Sequence, residues 1–514
     1  MAEYMGAETS TGKVRGTINQ GVGVFKGIPY AAAPVGANRF KPPAELAPWR
    51  GVRDAFEYGP RAMQDDNAFN LPPALMKLFV SSEPMPMSED CLVLNVWTPA
   101  LGDGHKRPVM FWCHGGAFIS GSGSSPWYDG TNLARKGDVV VVTINHRLGA
   151  FGYLHLEDLA GLEFASAGSA GMLDIVAALN WVRDNIERFG GDPQNVTIFG
   201  ESGGGAKVSV LMAMPAAHGL FHKAIIQSGP AVEMASRADA TETARQLLHE
   251  LDLDPKRAGE LRTLPAERLA RAQAAVLKRV SMMSFANRRR VGFNPVVDGM
   301  HLPGGPFAPA APAISAQVPL MIGTNKDEMT LFFGLAPWLD AMDDTAMRAR
   351  VTMFLGDADR ADAIIAAYRR ARPNDAPRDI VLAIATDQSM RAPSLVIADR
   401  KVAQHGAPVF VYMFTWETPV LGGLLKSPHA LEIPFVFDTL HTSKLAGDSP
   451  SRFALSGKMS NAWLAFARSG NPAHAGLPAW PHYSADRRAT MIFDDRCRVE
   501  DDPYRAERLA WSEQ

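Results

Sequence analysis

The chain has 514 residues, of which 46% are hydrophobic and 21% are charged, and this composition is typical of a globular protein with a large core. The 52 lysines and arginines nearly balance the 54 aspartates and glutamates, which excludes a general affinity for nucleic acid, and the arginine run 288–290 is interpreted as a solvated face. Three scattered cysteines are too few for a disulfide framework or a metal site.

The first residues carry Glu3 where a secretory signal needs positive charge, and no apolar segment follows them. No stretch reaches the roughly 18 consecutive apolar residues that span a bilayer. We therefore expect a cytoplasmic protein with no membrane partner, either a monomer or a weak homo-oligomer. Because no low-complexity linker divides the chain, residues 1–514 are predicted to form one domain.

Short β-branched runs alternate with helical patterns along the chain, and several runs are apolar throughout, as strands buried on both faces are. The predicted strands are residues 92–97, 108–113, 138–144, 196–199, 223–227, 318–322 and 408–414. Apolar residues recur in steps of four and three over 173–189, which predicts one helix, and approximately 335–400 reads as a helical insertion. The alternation predicts an α/β fold with a mostly parallel sheet, whose chemistry collects where the strands end.

The second predicted strand runs into the sequence His-Gly-Gly-Ala-Phe at 114–118. Attack on a carbonyl carbon places negative charge on the carbonyl oxygen, which free backbone N–H groups of a glycine turn can meet without reorganisation. Gly115 and Gly116 are the candidate donors. His114 is interpreted as a structural histidine, because the expected chain order puts the catalytic histidine last.

The predicted strand 196–199 leads into Gly-Glu-Ser-Gly-Gly at 200–204, which is the G-x-S-x-G pattern in a strand-turn-helix context. Ser202 is the candidate nucleophile, held above the sheet by a strained turn, and the N–H of Gly203 is a third candidate oxyanion donor. The alternative is a glycine-rich turn that happens to contain serine. Glu201 is either an exposed turn residue or a group that tunes the charge of the site.

An acid and then a histidine should follow the serine along the chain. Asp327 and Glu328 come after the strand 318–322, and the pattern alone does not choose between them. The histidines after the last predicted strand are His429, His441, His474 and His482. His429 lies nearest to the end of that strand and is the candidate base. A base of this kind is expected to show an apparent pKa of about 6 to 7.

Further motifs lie at 24–31, 88–97, 145–152, 189–193, 323–328 and 429–437, in addition to the serine turn. Together they resemble the type-B carboxylesterase family, which includes the cholinesterases and the bacterial para-nitrobenzyl esterases. The resemblance implies the α/β-hydrolase fold with helical cap insertions, hydrolysis of carboxylic esters through an acyl-enzyme, and no cofactor. It implies Glu328 as the acid, His429 as the base and a small apolar or aromatic ester as the substrate.

The resemblance also implies a buried pair between Arg39 and Glu89, and it places Ser228 behind the triad. The chain departs from the family pattern at several positions, and of these the Met329 and Gly203 changes concern the pocket. Cys91 lacks the earlier partner of exported members, Ser81 stands where cholinesterases have a tryptophan for quaternary ammonium, and Met329 replaces the glycine after the acid. We therefore do not expect choline esters as preferred substrates.

Two alternatives stay open at this stage: an amidase or carbamate hydrolase with the same triad, and a non-catalytic adhesion module, which would need an export signal and a broken triad. Gly-Gly-Ala at 115–117 resembles the loop associated in this family with acceptance of tertiary alcohols. The candidates for an adaptable apolar pocket are Met282, Met283, Phe285, Phe332 and Phe333.

Overall fold

The computed structural model describes residues 4–79, 85–287 and 292–512, without the side chains of 280–287 and 512. The arginine run 288–290, Ser81 and the side chains of Met282, Met283 and Phe285 lie outside the described residues. Within the described part, 13 strands form one sheet, and two further strands form a small separate ladder.

The strands are β1 (Tyr4–Glu8), β2 (Lys13–Asn19), β3 (Val22–Pro29), β4 (Val52–Asp54), β5 (Val93–Thr98), β6 (Arg107–Cys113), β7 (Val140–Ile144), β8 (Gly191–Glu201), β9 (Lys223–Gln227), β10 (Ala235–Ser236), β11 (Val296–Val297), β12 (Leu320–Asn325), β13 (Val409–Phe414), β14 (Ala489–Phe493) and β15 (Arg498–Asp501). All seven predicted strands are therefore present, from β5 to β13.

The helices are α1 (Pro73–Phe79), α2 (Thr131–Gly137), α3 (Gly149–Tyr153), α4 (Glu157–Ala160), α5 (Ala170–Asn185), α6 (Gly203–Leu211), α7 (Arg237–Glu250), α8 (Ala266–Asn287), α9 (Thr330–Phe333), α10 (Asp344–Leu355), α11 (Ala358–Ala371), α12 (Pro377–Thr386), α13 (Ala392–Val402), α14 (Ile433–Val436), α15 (Ser451–Ser469) and α16 (Arg505–Ser512).

The middle of the large sheet is parallel, in the order β7-β6-β8-β9-β12-β13-β14. Every residue of β6, β7, β9, β12 and β13 is buried, as their apolar composition requires when helices cover both faces of a sheet. Antiparallel pairs join β1, β2, β3, β5 and β7 at one edge, and β15 closes the other. The prediction of an α/β fold with a mostly parallel sheet is confirmed.

Several predicted boundaries differ from those in the structure by two residues or more, for example at β12, β8 and α5. Strand β12 begins at Leu320 rather than 318, because Pro319 has no N–H to donate to a ladder. Strand β8 begins at Gly191, five residues earlier than predicted, because Gly191 pairs with Arg107 across a bulge. Helix α5 ends at Asn185, and a 3-10 turn continues to Gly190, which has a left-handed conformation.

The region of the predicted insertion forms the helices α10 to α13. The first three of them share an apolar cluster with the chain that follows Glu328, and the central members of this cluster are Met347, Val351, Ile364, Tyr368, Ile380 and Ile384. The stretch Leu162–Phe189 is long and apolar enough to cross a membrane by composition, but 67% of its most apolar window is buried inside the protein. The stretch is therefore a segment of the protein core.

Candidate active site

Ser202 lies at the sharp turn between β8 and α6. Its φ of 56° is in the left-handed region, a strained conformation for a residue with a side chain, and its N–H donates to the carbonyl of Gln227 at 2.8 Å. A side chain at Gly204 would overlap the carbonyl of Cys113, and one at Gly203 would overlap the backbone of Ala117. The small residues of the turn are therefore required by the close approach of β6.

The structure brings His429 together with Glu328. His429 Nδ1 lies 2.6 Å from Glu328 Oε2, and both side chains are buried. The other oxygen of Glu328 accepts from the backbone N–H of Asn325 at 2.7 Å, which fixes the carboxylate. Asp327 instead accepts from the Ser427 N–H and lies near the Lys326 ammonium. Geometry thus separates the two acids that the sequence pattern left open.

The three residues follow parallel strands of the same sheet, in which β9 lies between β8 and β12. Ser202 follows β8, Glu328 follows β12, and His429 lies in the long loop after β13, so all three emerge at the carboxyl edge of the sheet. Two hydrogen bonds hold that loop: Ser427 Oγ donates to the carbonyl of Phe414, and Asn325 Nδ2 donates to the carbonyl of Pro428. Because parallel strands all end at the same edge of the sheet, residues far apart along the chain meet there.

Glu201 is a buried partner of His429 and not an exposed turn residue. Its Oε1 lies 3.2 Å from His429 Nε2. Burial is the largest influence on His429 and lowers its pKa, but the charges of Glu201 and Glu328 outweigh it and raise the pKa to about 9. This pKa lies above the value of about 6 to 7 expected from the sequence for the reaction, and the kinetic value itself stays a prediction. Burial also raises the pKa of Glu201, against the opposing effect of His429.

A third carboxyl group, Glu432, was missed by the sequence analysis. It is fully buried, accepts from Asn325 Nδ2 at 2.8 Å, and contacts Gln227 Nε2 at 3.3 Å. Burial and then Glu328 raise its pKa to about 7, while the bond from Asn325 opposes them. The sequence did contain a signal for this residue, because Glu432 is the only acid in the otherwise apolar run 430–437. Burial of an unpaired carboxylate there would cost free energy, which indicates a partner.

The oxyanion loop is defined here as residues 114–118, between β6 and α2. Among the described residues, no acceptor is found for the backbone N–H groups of Gly116 and Ala117, and the backbone of Ala117 adjoins Gly203. The backbone of Gly115 forms a hydrogen bond with the Tyr128 hydroxyl, whose pKa is raised mainly by burial. The structure therefore offers Ala117 as a donor that the sequence analysis missed, and it engages Gly115 elsewhere.

The carbonyl groups of the oxyanion loop are all occupied inside the protein. Gly115 O contacts His114 Nδ1 at 2.8 Å, and Gly116 O accepts from the Ser120 N–H at 3.0 Å. Of the remaining three, the carbonyls of His114 and Ala117 accept from the buried Lys207, and that of Phe118 accepts from the Gly149 N–H at 2.8 Å. Since a carbonyl only accepts, His114 Nδ1 carries a proton. Burial lowers the pKa of His114 to about 3, which agrees with its interpretation as a structural histidine.

The other predicted residues are placed as follows. Ser228 lies after β9 with φ 46°, donates its N–H to Gly323 O at 2.8 Å, and has no partner for its buried Oγ among the described residues. Arg39 Nε donates to Glu89 at 2.7 Å, as implied, and Cys91 is buried and unpaired.

The three alternative histidines lie away from Ser202. His441 and His482 are exposed, and His474 contacts the carbonyl of Lys458.

Apolar groups surround the histidine. The Phe332 ring lies 5.3 Å from the His429 ring, and Phe69 lies 6.4 Å from Phe332. Met329 is buried and belongs to the same cluster as Phe332 and Phe333. No group of three or more metal-ligating side chains is placed to hold a metal ion in the described part of the chain. The site therefore consists of a serine, a paired histidine and backbone donors beside apolar side chains.

Comparisons with known proteins place the chain in a family. The model of the carboxylesterase family matches residues 5–511. The para-nitrobenzyl esterase of Bacillus subtilis is 38% identical over 501 residues, which cover 96% of each chain, and the phenmedipham hydrolase of Pseudarthrobacter oxydans is 34% identical over 495 residues, 95% of each. The crystal structure of the Geobacillus stearothermophilus carboxylesterase EST55 at pH 6.2 is 43% identical, with a TM-score of 0.86 over 98% of this chain and 99% of that one.

Proposed function

The chain belongs to the carboxylesterase family and is an ester hydrolase with the α/β-hydrolase fold, and from this premise we propose that Ser202, His429 and Glu328 carry out the reaction. The observation that supports the proposal is the 2.6 Å contact between His429 Nδ1 and Glu328, on a histidine whose Nε2 lies 3.2 Å from Glu201, the residue before Ser202. The non-catalytic alternative needs a broken triad, and none of the three residues is missing.

In the proposed first step, His429 Nε2 takes the proton of Ser202 while the serine oxygen attacks the ester carbonyl carbon. The tetrahedral intermediate then collapses, and His429 returns the proton to the departing alkoxide, which leaves as the alcohol. His429 then takes a proton from a water molecule, which attacks the acyl-enzyme carbonyl. When the second tetrahedral intermediate collapses, His429 returns that proton to the Ser202 oxygen, and the carboxylic acid is released. Glu328 holds the imidazole in the required tautomer and stabilises its charged form.

We propose the N–H groups of Gly116, Ala117 and Gly203 as the donors to the oxyanion. The first two lack acceptors, and Gly203 is the first residue of α6, whose first N–H groups have no partner within the helix. Three preorganised donors stabilise the charge that develops on the carbonyl oxygen. Gly115 shapes the same loop but uses its backbone toward Tyr128.

We propose small apolar or aromatic esters as substrates, because Phe332, Phe69 and Met329 place apolar surface beside the histidine. A neutral ester also suits a chain whose formal net charge is only −2, since no strong field selects charged ligands. A cytoplasmic location and a monomeric or weakly oligomeric state remain part of the proposal.

The Ser202→Ala variant tests the proposal. It is expected to fold like the wild type and to lose kcat/KM by on the order of 10⁴-fold or more on para-nitrophenyl esters, as removal of a triad member does. A dialkyl fluorophosphate should add one phosphoryl group to the peptide that contains Ser202. Wild-type turnover in the variant, or labelling of another serine such as Ser228, would contradict the assignment.

A further inference from the structure

Lys207 is a buried cation between the nucleophile and the oxyanion loop. It lies on α6, five residues after Ser202, and is fully buried. Its Nζ donates to the carbonyl of His114 at 3.0 Å and to that of Ala117 at 2.7 Å, and it lies 5.3 Å from the centre of the Phe118 ring. Among the described residues, no carboxylate contacts Lys207. Burial of an ammonium without a carboxylate costs free energy, and here only two backbone carbonyls offset that cost.

The two carbonyls stand at the two ends of the segment that carries the proposed donors. A trans peptide unit is planar, so the C=O of one residue and the N–H of the next point in opposite directions. The bond to His114 O therefore turns the Gly115 N–H away from Lys207, and the bond to Ala117 O anchors the far end of the segment. The N–H groups of Gly116 and Ala117 lie between these two anchors.

Two further carbonyls of the oxyanion loop are bonded within its own stretch of chain: Gly115 O contacts the ring of His114, and Gly116 O accepts from Ser120. The carbonyl of Phe118 accepts from the Gly149 N–H at 2.8 Å, and the backbone of Gly115 interacts with Tyr128, so these contacts join the loop to other segments and not to the helix that follows Ser202. Lys207 makes that connection, because it belongs to the helix that begins directly after Ser202 and reaches both ends of the segment.

We propose that Lys207 is a positioning residue for ester hydrolysis, which ties the oxyanion loop to the nucleophile's own helix and so sets the distance between Ser202 and the donors of Gly116 and Ala117. This inference rests on the proposed oxyanion hole. It assigns a role in catalysis to a side chain that does not touch the substrate. Misplacement of catalytic groups by about 1 Å costs on the order of 10²-fold in rate.

The positioning role does not depend on the charge of the lysine. Burial lowers the pKa of Lys207 to about 7, while Cys113 and Glu201 oppose this effect. An ammonium has three N–H groups, and the neutral amine keeps two, one for each carbonyl. Both bonds to the oxyanion loop are therefore retained on either side of neutral pH.

Lys401 provides a matched control in the same chain. It is also fully buried, and its Nζ donates to two backbone carbonyls, of Ser315 at 2.6 Å and of Ala316 at 2.8 Å. These carbonyls precede β12, so they lie at the amino edge of the sheet, opposite the triad. Replacement of either lysine by methionine keeps an unbranched stem and removes the donors, but only one replacement disturbs the oxyanion loop.

The experiment compares Lys207→Met and Lys401→Met with the wild type and with Ser202→Ala. Three quantities are measured: kcat and KM on a para-nitrophenyl ester, the inhibition constant of a trifluoromethyl ketone with the same acyl chain, and the urea midpoint of unfolding. The ketone forms a tetrahedral adduct whose oxygen occupies the oxyanion hole, so its affinity reports the donors separately from ground-state binding.

Lys207→Met is expected to lower kcat on the order of 10²-fold, with KM changed less than about threefold, and to weaken the ketone by a similar factor. Lys401→Met is expected to lower the urea midpoint and to leave kcat and the ketone affinity unchanged. If Lys207→Met does not fold, Lys207→Gln, which keeps an amide donor on a shorter stem, is expected to show the same parallel loss at about tenfold.

Two results would overturn the inference: a kcat for Lys207→Met equal to that of Lys401→Met, or a reduced kcat with an unchanged ketone affinity. Either result obtained with Lys207→Gln would overturn the inference as well. Failure of the proposed triad is recognised separately, because it would appear as activity in the Ser202→Ala variant.

Discussion

Two neighbouring acids, Asp327 and Glu328, differ in the partners that the fold gives them. Glu328 contacts His429 Nδ1, whereas Asp327 is bonded to the backbone of Ser427. Glu328→Gln is expected to lower kcat by on the order of 10³- to 10⁴-fold, because an amide no longer selects the required tautomer or stabilises the imidazolium. Steady-state kinetics on one ester provides the measurement.

Asp327→Asn is the matched control, since it makes the same chemical change one residue earlier. It is expected to retain kcat within about tenfold, because its bonds hold the loop and do not reach the imidazole. An Asp327→Asn variant more impaired than Glu328→Gln would show that the acid has been assigned to the wrong residue.

The pH dependence of the reaction should reveal the charge of Glu201. The neutral imidazole is the active base, so kcat/KM falls as the pH falls below the pKa of His429, which is raised to about 9. The acidic limb of the profile is thus expected above the ordinary histidine value of about 6.5. Glu201→Gln removes the first of the charges that raise this pKa and should move the limb to lower pH by about one unit.

The measurement is kcat/KM from about pH 5 to about pH 10 on a substrate whose own hydrolysis is slow. Glu260→Gln is the control, since Glu260 pairs with Arg257 at the surface. A limb that stays in place in Glu201→Gln would mean that Glu201 does not set the charge state of His429.

At the scale of elements, the oxyanion loop between β6 and α2 determines whether esters of tertiary alcohols can be hydrolysed. Its four carbonyls at 114–117 are occupied by Lys207, His114 and Ser120. None is left to face a third methyl group on the carbon that bears the leaving oxygen. We expect measurable hydrolysis of tert-butyl acetate, more slowly than of n-butyl acetate because crowding hinders attack on the carbonyl.

Acid release from both acetates, with Ser202→Ala as the background, provides the measurement. Enzyme that cleaves n-butyl acetate but releases no acid from tert-butyl acetate above that background would refute the loop geometry. The prediction is independent of the acyl group, which is the same in the two esters.

The elements that the sequence predicted well are those with a local cause. Buried strands such as β13 are apolar at every position, and the serine turn needs small residues at fixed spacing, so both can be recognised from the sequence alone. The acid was not chosen from the pattern, because the contact between Glu328 and His429 joins residues 101 positions apart. Only the family resemblance pointed to it.

The elements that the sequence missed depend on where a backbone group or a side chain points. Nothing in Gly-Gly-Ala indicates that Gly115 faces Tyr128 while Ala117 adjoins Gly203. Glu432 and Lys207 are charged residues whose partners lie on other strands and loops, so burial of their side chains could not be inferred from periodicity. The single-domain organisation stays a prediction.

At the scale of the whole molecule, one buried ion pair joins distant parts of the chain. Arg147 Nη2 lies 2.6 Å from Asp174 on α5, and its Nη1 donates to the carbonyl of Lys41. Asp174→Asn leaves an uncompensated buried guanidinium and is expected to lower the free energy of unfolding by about 3 to 5 kcal/mol. Urea denaturation followed by circular dichroism measures the change.

Asp362→Asn is the matched control, because Asp362 and Arg348 are both about half exposed, at 49% and 54% of their side chains. Breaking an exposed pair of this kind should cost less than about 1 kcal/mol. Equal losses in the two variants would show that the buried pair does not contribute more than a surface pair.

The wide separation of the triad along the chain also has a consequence for biogenesis. Ser202 is translated long before His429, and the histidine loop is anchored by Asn325 and by the end of β13. Contacts of such long range form late, because the chain must first close large loops. A nascent chain halted before residue 429 therefore carries a complete serine turn with no base. Esterase activity therefore requires that β13 has joined the sheet and that the loop after it has brought His429 into place.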